Sequence, residues 1–451
     1  MGDRNKVKVI QTAKDTGDRL SPKADLCLED APYENMSVVE VDVRQEFQEI
    51  IGFGGAFTEA SAFIFAHMEP EKQREIVNAY FHPKEGIGYN FGRIPMNSCD
   101  FSLGSYSCDD IAGDVELKYF NIERDKIFII PLVKEAIKVR GEPLNILISP
   151  WSPPGWMKTN RRMTHGGEVK EEYRATWALF YARFIKAYES EGIPIWGLTV
   201  QNEPDATQIW ESCRFTPEAE RDFIRDYLGP ILAREGLSNK KIMAWDHNRD
   251  LVYERAKVIL SDYKAASYVW GLGFHWYSGD QFENLMKTRA AFPDKYLMFT
   301  EGCIENGVRL GQWDRGEQYA HNMIGDLIHG ANGWIDWNLL LDTNGGPNHV
   351  ANFCDAPIIA DPVTNHVYYQ SSYYYIGHFS KYIQPGARRV HSFSSNKRLA
   401  TVAFKNPDHS VVTIIFNPSA DNCRYQLRIN GKSTPINVLS HSIVTYSTFA
   451  H

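Results

Sequence analysis

The sequence predicts an α/β protein, in which a (β/α)8 TIM barrel carries an appended β-sandwich domain formed from both chain ends. Three observations lead to this prediction. Eight short apolar runs each end in glycine, proline or polar residues, and stretches of helical periodicity follow most of them. At both ends of the chain, β-branched segments alternate without helical periodicity. Repeated alternation of strand and helix is typical of a parallel sheet rather than a sandwich.

The eight runs predict the barrel strands, and two of the intervening segments show clear helical patterns. In order, the runs are 49–53, 89–95, 144–149, 195–203, 241–245, 269–275, 296–301 and 334–337. Helices are predicted over 172–190 and 216–234. Thr216 is followed by Pro217, which is the expected order for an N-cap and the first helical turn. The alternation therefore supplies a strand and a helix for each unit of the barrel.

The chain ends predict one small β domain. The segments 399–404 and 411–416 flank a turn at 406–409 and predict a hairpin. Near the start, 7–12 and 38–42 alternate like strands, so both ends are expected to share one sandwich. The predicted domains are 1–47 for the N-terminal strands, 48–384 for the catalytic barrel and 385–451 for the C-terminal strands.

Composition and charge exclude several classes of protein. With 451 residues, of which 43% are hydrophobic, the chain has enough material for a large core. The 56 acidic and 48 basic residues give a formal charge of −8 without a basic block, so no nucleic-acid partner is predicted. No run is long enough for a membrane span. Seven cysteines without CxxC spacing predict mostly reduced, buried thiols rather than a zinc ribbon or a disulfide framework.

The first ten residues bear on location. They are charged and lack the apolar core of a signal peptide. These residues predict a cytoplasmic protein, or a secreted one if a signal peptide has been removed before residue 1. The sequence does not indicate an oligomeric state.

Two glutamates at strand ends predict the chemistry. Glu203 ends the fourth run and Glu301 ends the seventh. In a barrel of parallel strands these ends share the face that carries the active site. Two carboxyl groups about 5 to 5.5 Å apart can act as acid/base and nucleophile in a retaining glycosidase. Burial at an apolar strand end is expected to raise the pKa of Glu203 and keep it protonated as the general acid. The alternative for Glu203 is a helix cap.

Other strand ends supply groups that suit a sugar site. Arg93 and Asp100 follow the second run and could orient the nucleophile and hold hydroxyl groups, although a structural salt bridge is an alternative. Trp151 lies in a proline-rich loop after the third run, where its face could stack on a sugar ring or pack in the core. Asn202 can donate a hydrogen bond to a sugar 2-hydroxyl.

The last strand ends complete the predicted site. His275 or Tyr277 could hydrogen-bond the second carboxylate, and Arg93 and Tyr277 could keep Glu301 ionised. Trp337 and the polar loop 342–352 could form a sugar subsite, the alternative being an ordinary surface loop. No HExxH or comparable spacing accompanies the histidine, so no metal site is predicted.

Taken together, these motifs resemble the glucosylceramidase-like branch of glycoside hydrolase family 30. The resemblance runs from about residue 48 to 385 in the same order, and the flanking β segments fit it as well. The segments that carry it are 52–59, 93–102, 149–156, 199–204, 275–277, 300–301 and 345–348.

The resemblance implies a (β/α)8 barrel with a side β-sandwich and a retaining double displacement that uses no cofactor. Glu203 falls on the acid/base position of the family and Glu301 on its nucleophile position. Positions that line or support the sugar site in glucosylceramidase-like members correspond here to Arg93, Asp100, Trp151, Asn202, His275, Tyr277, Trp337 and Asn352.

The sequence therefore predicts a retaining β-glycosidase that hydrolyses β-linked glucosides, a carbohydrate substrate, through a covalent glycosyl-enzyme. Alternatives within the class are an endo-β-1,6-glucanase and a β-xylosidase. Alternatives outside it are a catalytically inactive carbohydrate-binding barrel and a metal-dependent barrel hydrolase. Specificity is expected to differ in the loop 342–352.

Overall fold

A computed structural model describes residues 5–30 and 35–449 of the chain. The remaining positions of the predicted terminal domains, 1–4, 31–34 and 450–451, lie outside the described residues. The strands are β1 (Lys6–Ala13), β2 (Ser21–Cys27), β3 (Ser37–Ile50), β4 (Gly52–Ala56), β5 (Phe91–Met96), β6 (Asn145–Pro150), β7 (Ile195–Thr199), β8 (Lys241–Asn248), β9 (Val269–His275), β10 (Tyr296–Glu301), β11 (Gly333–Asn338), β12 (Leu340–Leu341), β13 (Ile358–Asp361), β14 (His366–Tyr369), β15 (Ala387–Ser394), β16 (Ala400–Lys405), β17 (Ser410–Asn417), β18 (Cys423–Ile429), β19 (Lys432–Val438) and β20 (Ser442–Phe449).

The helices lie mainly between the barrel strands, as the alternating pattern predicts. They are α1 (Glu59–Ala66), α2 (Pro70–Phe81), α3 (Ile129–Arg140), α4 (Arg174–Ser190), α5 (Pro217–Phe223), α6 (Gly229–Arg234), α7 (Val252–Leu260), α8 (Tyr263–Tyr268), α9 (Phe282–Ala291), α10 (Asp314–Ile328) and α11 (Ser371–Ser380).

Strands β4 to β11 form a closed parallel barrel, so all eight predicted runs are confirmed as barrel strands. The first run is displaced: β4 begins at Gly52, and residues 49–50 end β3 in the other sheet. Inside the barrel, side chains such as Phe91, Leu147 and Met298 form a closed apolar layer. Because this layer fills the interior, the barrel is a packed scaffold whose strand ends can hold polar side chains in fixed positions.

The predicted helix at 216–234 contains a change of winding. Thr216 caps it as expected, its side chain accepting a bond from the Ala219 N–H at 3.1 Å. Five residues, Ile224–Leu228, are π-helical between α5 and α6. Pro230 lies just beyond them and has no N–H to donate to the preceding turn, which favours this rearrangement of the hydrogen bonds.

Both chain ends join one sheet, which confirms the predicted β domain. Its strand order is β19-β18-β3-β15-β16-β17-β20-β1-β2, so N-terminal β1 pairs with β20 and β3 lies between β18 and β15. The sheet encloses a core of its own, which includes Val39, Val390 and Tyr425. Its outer face, with Phe404 and Ile414, joins the apolar core that surrounds the barrel. The boundaries at 47/48 and 384/385 remain our proposal.

Across the described ranges 5–30 and 35–449, no helix has the length and apolar character needed to cross a membrane.

We expect Gly54→Ala to destabilise the barrel. A Cβ at Gly54 would lie 2.2 Å from the backbone carbonyl oxygen of Phe91 on the adjacent strand, which cannot move without opening the sheet. Overpacking of this kind costs about 1–3 kcal/mol. The matched control is Gly17→Ala, where a Cβ meets nothing within 4 Å. Chemical denaturation measures the stability of both variants, and equal unfolding midpoints would contradict the packing of Gly54 against Phe91.

Candidate active site

The two predicted carboxylates meet at the C-terminal end of the barrel. Glu301 is the last residue of β10, and Glu203 lies in the turn that follows β7. One oxygen of each lies within 4.8 Å of the other. This upper limit lies below the roughly 6.5–9.5 Å of inverting glycosidases and agrees with the shorter separation, about 5 to 5.5 Å, of retaining ones.

The backbone at Glu203 is held in an uncommon conformation. Its φ angle is +50°, a left-handed value that costs a residue with a Cβ about 1–3 kcal/mol. Two interactions hold it there: the Glu203 N–H donates to the carbonyl oxygen of Asp246 at 3.0 Å, and its own carbonyl accepts from Ala206 at 2.9 Å. The turn directs the Glu203 side chain towards Glu301.

Arg93 is the centre of the polar network. Its side chain is fully buried, and Nη1 donates to Glu301 Oε2 at 2.5 Å. Nη2 donates to Asp246 at 2.9 Å and to Asn202 Oδ1 at 2.8 Å, while Nε donates to Ser149 at 3.0 Å. One guanidinium thereby connects the ends of β5, β6, β8 and β10. Because its charge is permanent, it stabilises the ionised form of Glu301.

Two tryptophans pack against this arginine. The Arg93 guanidinium lies 4.8 Å from the ring centre of Trp151 and 5.5 Å from that of Trp337. The two rings stack with centres 5.0 Å apart and planes inclined by 23°. Cation–π attraction holds the aromatic faces beside the carboxylates. Both tryptophans thus lie in the wall of the cavity.

Behind the glutamates lies a buried pair, Asp246 and His275. Thr199 and Thr300 each donate a hydroxyl hydrogen bond of 2.6 Å to Asp246. His275 Nε2 lies 3.1 Å from Asp246 Oδ1, and its Nδ1 lies 3.3 Å from Glu203 Oε1. The Arg93 charge and these donors overcome the effect of burial and hold the pKa of Asp246 far below its usual value.

His275 carries a strongly raised pKa. Burial alone would lower it, but the charge of Glu301 and the contacts with Asp246 and Glu203 outweigh burial and raise the pKa of His275 to about 9. At neutral pH one proton is therefore held by the His275 and Glu203 side chains together. A proton shared by two interacting groups titrates with the pair rather than with either residue.

The prediction that desolvation holds Glu203 protonated is wrong. Burial does raise the pKa of Glu203, but the hydrogen bond from His275 and the neighbouring His247 outweigh it, so the pKa lies below its ordinary value. For Glu301, burial and the nearby charge of Glu203 exceed the opposing effects of His275 and Arg93 and raise its pKa. The proton available at Glu203 thus depends on His275, not on an apolar environment.

A further carboxyl group, that of Asp100, lies at the side of the site. Asp100 Oδ2 accepts hydrogen bonds from Asn352 at 3.1 Å and from Asn348 at 3.3 Å. Burial raises the pKa of Asp100 to about 7 against the effect of these donors. On the other side, the Tyr277 hydroxyl donates to Glu301 Oε1 at 3.0 Å. The two asparagine contacts tie the loop 342–355 to Asp100, which follows β5.

These side chains enclose a cavity of about 170 Å³. Eight of the ten predicted site residues line it; Arg93 and His275 lie behind its wall, in contact with the two glutamates. The lining residues are Asp100, Phe101, Trp151, Asn202, Glu203, Gln208, Trp210, His247, Asn248, Tyr277, Glu301, Cys303, Glu305, Trp337, Asn352 and Cys354.

The sequence prediction missed several residues in and behind the cavity wall, above all Asp246, which contacts Arg93 and His275. The predicted fifth strand stopped at Trp245, whereas β8 continues to Asn248. The rule that polar residues at strand ends face the site would have identified Asp246, His247 and Asn248 had the run been extended by three residues. Gln208 and Trp210 lie in the loop after β7 and carry no comparable signal.

Glu203, His275 and Glu301 also form the cluster within residues 5–30 and 35–449 that could hold a metal ion, with one ligand atom of each within 4.8 Å. The atoms of Glu301 and His275 that would bind such an ion already contact other protein side chains. Arg93 occupies one oxygen of Glu301, and both ring nitrogens of His275 face carboxylates.

Comparison with known proteins agrees with this geometry. Residues 50–383 match the glycosyl hydrolase family 30 TIM-barrel domain and residues 386–446 match the family 30 beta sandwich domain. Lysosomal acid glucosylceramidase of Mus musculus is 39% identical over 397 residues, which cover 84% of this chain and 77% of the mouse protein.

Two solved structures are similar over nearly the whole chain. SrfJ from Salmonella typhimurium has a TM-score of 0.96 at 34% identity, covering 99% of this chain and 100% of its own. The endo-beta1,6-glucanase BT3312 has a TM-score of 0.88 at 26% identity with the same coverage. This chain belongs to glycoside hydrolase family 30 and is a retaining β-glycosidase.

Proposed function

We propose that the protein is an exo-acting β-glucosidase in which Glu301 is the nucleophile and Glu203 the acid/base. The observation that carries the proposal is the pair of carboxylates, with oxygens within 4.8 Å, at a cavity of about 170 Å³. Pockets for larger ligands measure about 300–1,000 Å³, so this cavity suits a single sugar ring.

In the first step, Glu301 attacks the anomeric carbon and Glu203 gives a proton to the departing oxygen. Arg93 at Oε2 and Tyr277 at Oε1 hold the Glu301 carboxylate in position and stabilise its charge before attack. In the second step, Glu203 removes a proton from water, which displaces Glu301 from the sugar. Two inversions at one carbon retain the β configuration.

His275 acts as the positioning residue that supplies Glu203 with its proton. Cationic His275 donates one N–H towards Asp246 and the other towards Glu203, so transfer of the second proton leaves neutral His275 and protonated Glu203. Buried, ionised Asp246 accepts throughout and fixes which nitrogen keeps its proton. The acid is thus maintained up to the pH at which the pair loses its proton.

Three groups would recognise the sugar. Asn202 uses its oxygen to accept from Arg93, which turns its NH2 group towards the cavity and the position of a 2-hydroxyl. Asp100, fixed by two asparagines, can accept from hydroxyls further round the ring. Trp151 lies in the cavity wall and can pack on the C–H face of the sugar.

The leaving group would occupy an adjoining cavity of about 510 Å³, which shares Glu305 and Asn352 with the first. The amide, hydroxyl and carboxylate groups around it favour a polar aglycone such as a second sugar. Its remaining lining residues are Asn306, Gly307, Val308, Thr343, Asn344, Ala351 and Phe353.

An endo-β-1,6-glucanase is the second candidate. The similarity to a solved endo-beta1,6-glucanase over 99% of this chain favours it, and the adjoining cavity has room for further glucose units. The two candidates share the chemistry and differ in the products they release first.

Azide should separate the roles of the two glutamates. With a dinitrophenyl β-glucoside, Glu301→Ala is expected to lose at least about 10⁴-fold in kcat, because no nucleophile remains. Azide can take its place and should give the α-glucosyl azide. Glu203→Ala should retain attack on this activated substrate and give the β-glucosyl azide after turnover. NMR identifies the anomer of each azide product. A β-glucosyl azide from Glu301→Ala and an α-glucosyl azide from Glu203→Ala would exchange the two roles.

The pH dependence should report the His275 pair. In the wild type, kcat/KM is expected to fall as the pH rises through about 9, since His275 and Glu203 then lose their shared proton. His275→Gln should shift this basic limb to lower pH and reduce kcat by about 10–100-fold. His321→Gln, at an exposed histidine paired with Asp280, is the control and should leave the limb in place. An unchanged basic limb in His275→Gln would contradict the proton transfer proposed here.

Product analysis should distinguish exo from endo action. On a β-1,6-glucan labelled at the reducing end, an exo-glucosidase releases glucose first and shortens the label-bearing chain gradually. Early appearance of short labelled oligosaccharides would favour the glucanase. Lack of turnover of aryl β-glucosides, β-glucan and glucosylceramide by a protein that binds sugars would favour an inactive barrel.

A further inference from the structure

Two thiols face each other in the wall of the sugar cavity. The Sγ atoms of Cys303 and Cys354 lie 3.0 Å apart, and both residues line the cavity. Both are buried, with 6% and 1% of their surface exposed. All seven cysteines lie in the described part of the chain as free thiols, and Cys27 is the exposed one.

Cys303 is linked to the proposed nucleophile. It lies two residues beyond Glu301, and its sulfur is 3.6 Å from the Tyr277 hydroxyl, which donates to Glu301 at 3.0 Å. Its carbonyl oxygen also accepts from the Trp276 indole at 3.2 Å. A displacement of Cys303 would therefore be transmitted to the hydroxyl that positions Glu301.

Cys354 belongs to the opposite wall, the loop 342–355. Its N–H donates to the carbonyl oxygen of Gly345 at 3.1 Å, within the same loop. Asn352, two residues earlier, holds Asp100 at 3.1 Å. The thiol pair thus joins the end of the nucleophile strand to the loop that fixes a sugar-binding carboxylate.

We propose that Cys303 and Cys354 are an oxidative modification site, at which a small peroxide forms an intramolecular disulfide that stops catalysis. One thiolate attacks the O–O bond to give a sulfenic acid and water, and the second thiol displaces another water from it. The two sulfurs lose two electrons and two protons in total, and one molecule of hydrogen peroxide is reduced to two of water.

The geometry requires little movement of the sulfur atoms. A disulfide has an S–S length of about 2.05 Å, so the sulfurs must approach by about 1 Å from their present separation. The oxidant must be small, because the route to the pair is the sugar cavity itself. A bound sugar therefore shields the pair, and oxidation is expected to be confined to the unoccupied enzyme.

Both thiols are predominantly protonated at neutral pH. Contact with Cys354 and burial raise the pKa of the Cys303 thiol. Contact with Cys303 lowers the pKa of the Cys354 thiol, but burial and the charges of Asp100, Glu305 and Glu301 together outweigh it and raise that pKa. Since the thiolate is the reacting form, the cross-link should form slowly at neutral pH and faster as the pH rises. Such a pair resists weak oxidants and responds to sustained exposure.

The test exposes the wild type to hydrogen peroxide at pH 7 and pH 9, blocks the remaining thiols with iodoacetamide and maps the peptides by mass spectrometry. We expect a 303–354 cross-linked peptide, formed faster at pH 9. Activity should fall by about tenfold or more, because a shift of 1 Å near reacting groups has effects of this size. Dithiothreitol should restore it, and a saturating β-glucoside should slow the cross-link.

Variants provide the controls. Cys303→Ser and Cys354→Ser are each compared with their own reduced form, and peroxide followed by dithiothreitol should reveal no reversible loss in either. Cys27→Ser removes the exposed thiol and should respond as the wild type does. A reversible loss of the same size in Cys354→Ser would overturn the proposal, as would oxidation of other cysteines with no 303–354 peptide at either pH.

The expected loss of activity rests on the proposed function, whereas the cross-link does not. If no glycoside is turned over, the mass measurement still decides whether the pair is oxidised, so the two proposals fail separately. A cross-linked enzyme that keeps full activity would overturn the effect on catalysis.

Discussion

The active site depends on the ion pairs that the buried guanidinium of Arg93 forms with Asp246 and Glu301. A charge removed from water is stable only when it is paired and its donors are satisfied. Here Asp246 and Glu301 supply the negative charges, and Ser149 and Asn202 accept the remaining hydrogen bonds. These partners come from separate strand ends of the barrel, so the arginine fixes their relative positions. Loss of Arg93 would leave the buried carboxylates of Asp246 and Glu301 without their shared cation.

The two glutamates differ in the cationic side chain that each one contacts. Glu301 contacts an arginine, which stays charged at any physiological pH, whereas Glu203 contacts a histidine that can give up a proton. This asymmetry places a permanent cation beside Glu301 and a titratable one beside Glu203. Asp246 serves both sides, since it pairs with Arg93 and with His275.

Most of the fold and of the cavity lining could be predicted from the sequence because the C-terminal ends of parallel barrel strands converge. Polar residues that follow apolar runs are therefore expected to meet even when they are far apart in the chain. Asp246 escaped prediction because the apolar run ends at Trp245, whereas β8 continues to Asn248, with left-handed φ angles of 72° at Trp245 and 58° at Asp246. The pKa of Glu203 was predicted with the wrong sign because its main partner, His275, lies 72 positions along the chain. The thiols at 303 and 354 are likewise brought together only by the folded chain.

In the proposed mechanism Glu301 forms a covalent bond to the sugar. Incubation with an activated fluoro-sugar β-glucoside, in which fluorine replaces the 2-hydroxyl, slows release of the glycosyl-enzyme enough for peptide mass spectrometry. We expect one sugar per chain, attached to the peptide containing Glu301 and missing in Glu301→Gln. A label on another residue, or an unlabelled protein that releases α-glucose from a β-glucoside, would contradict it.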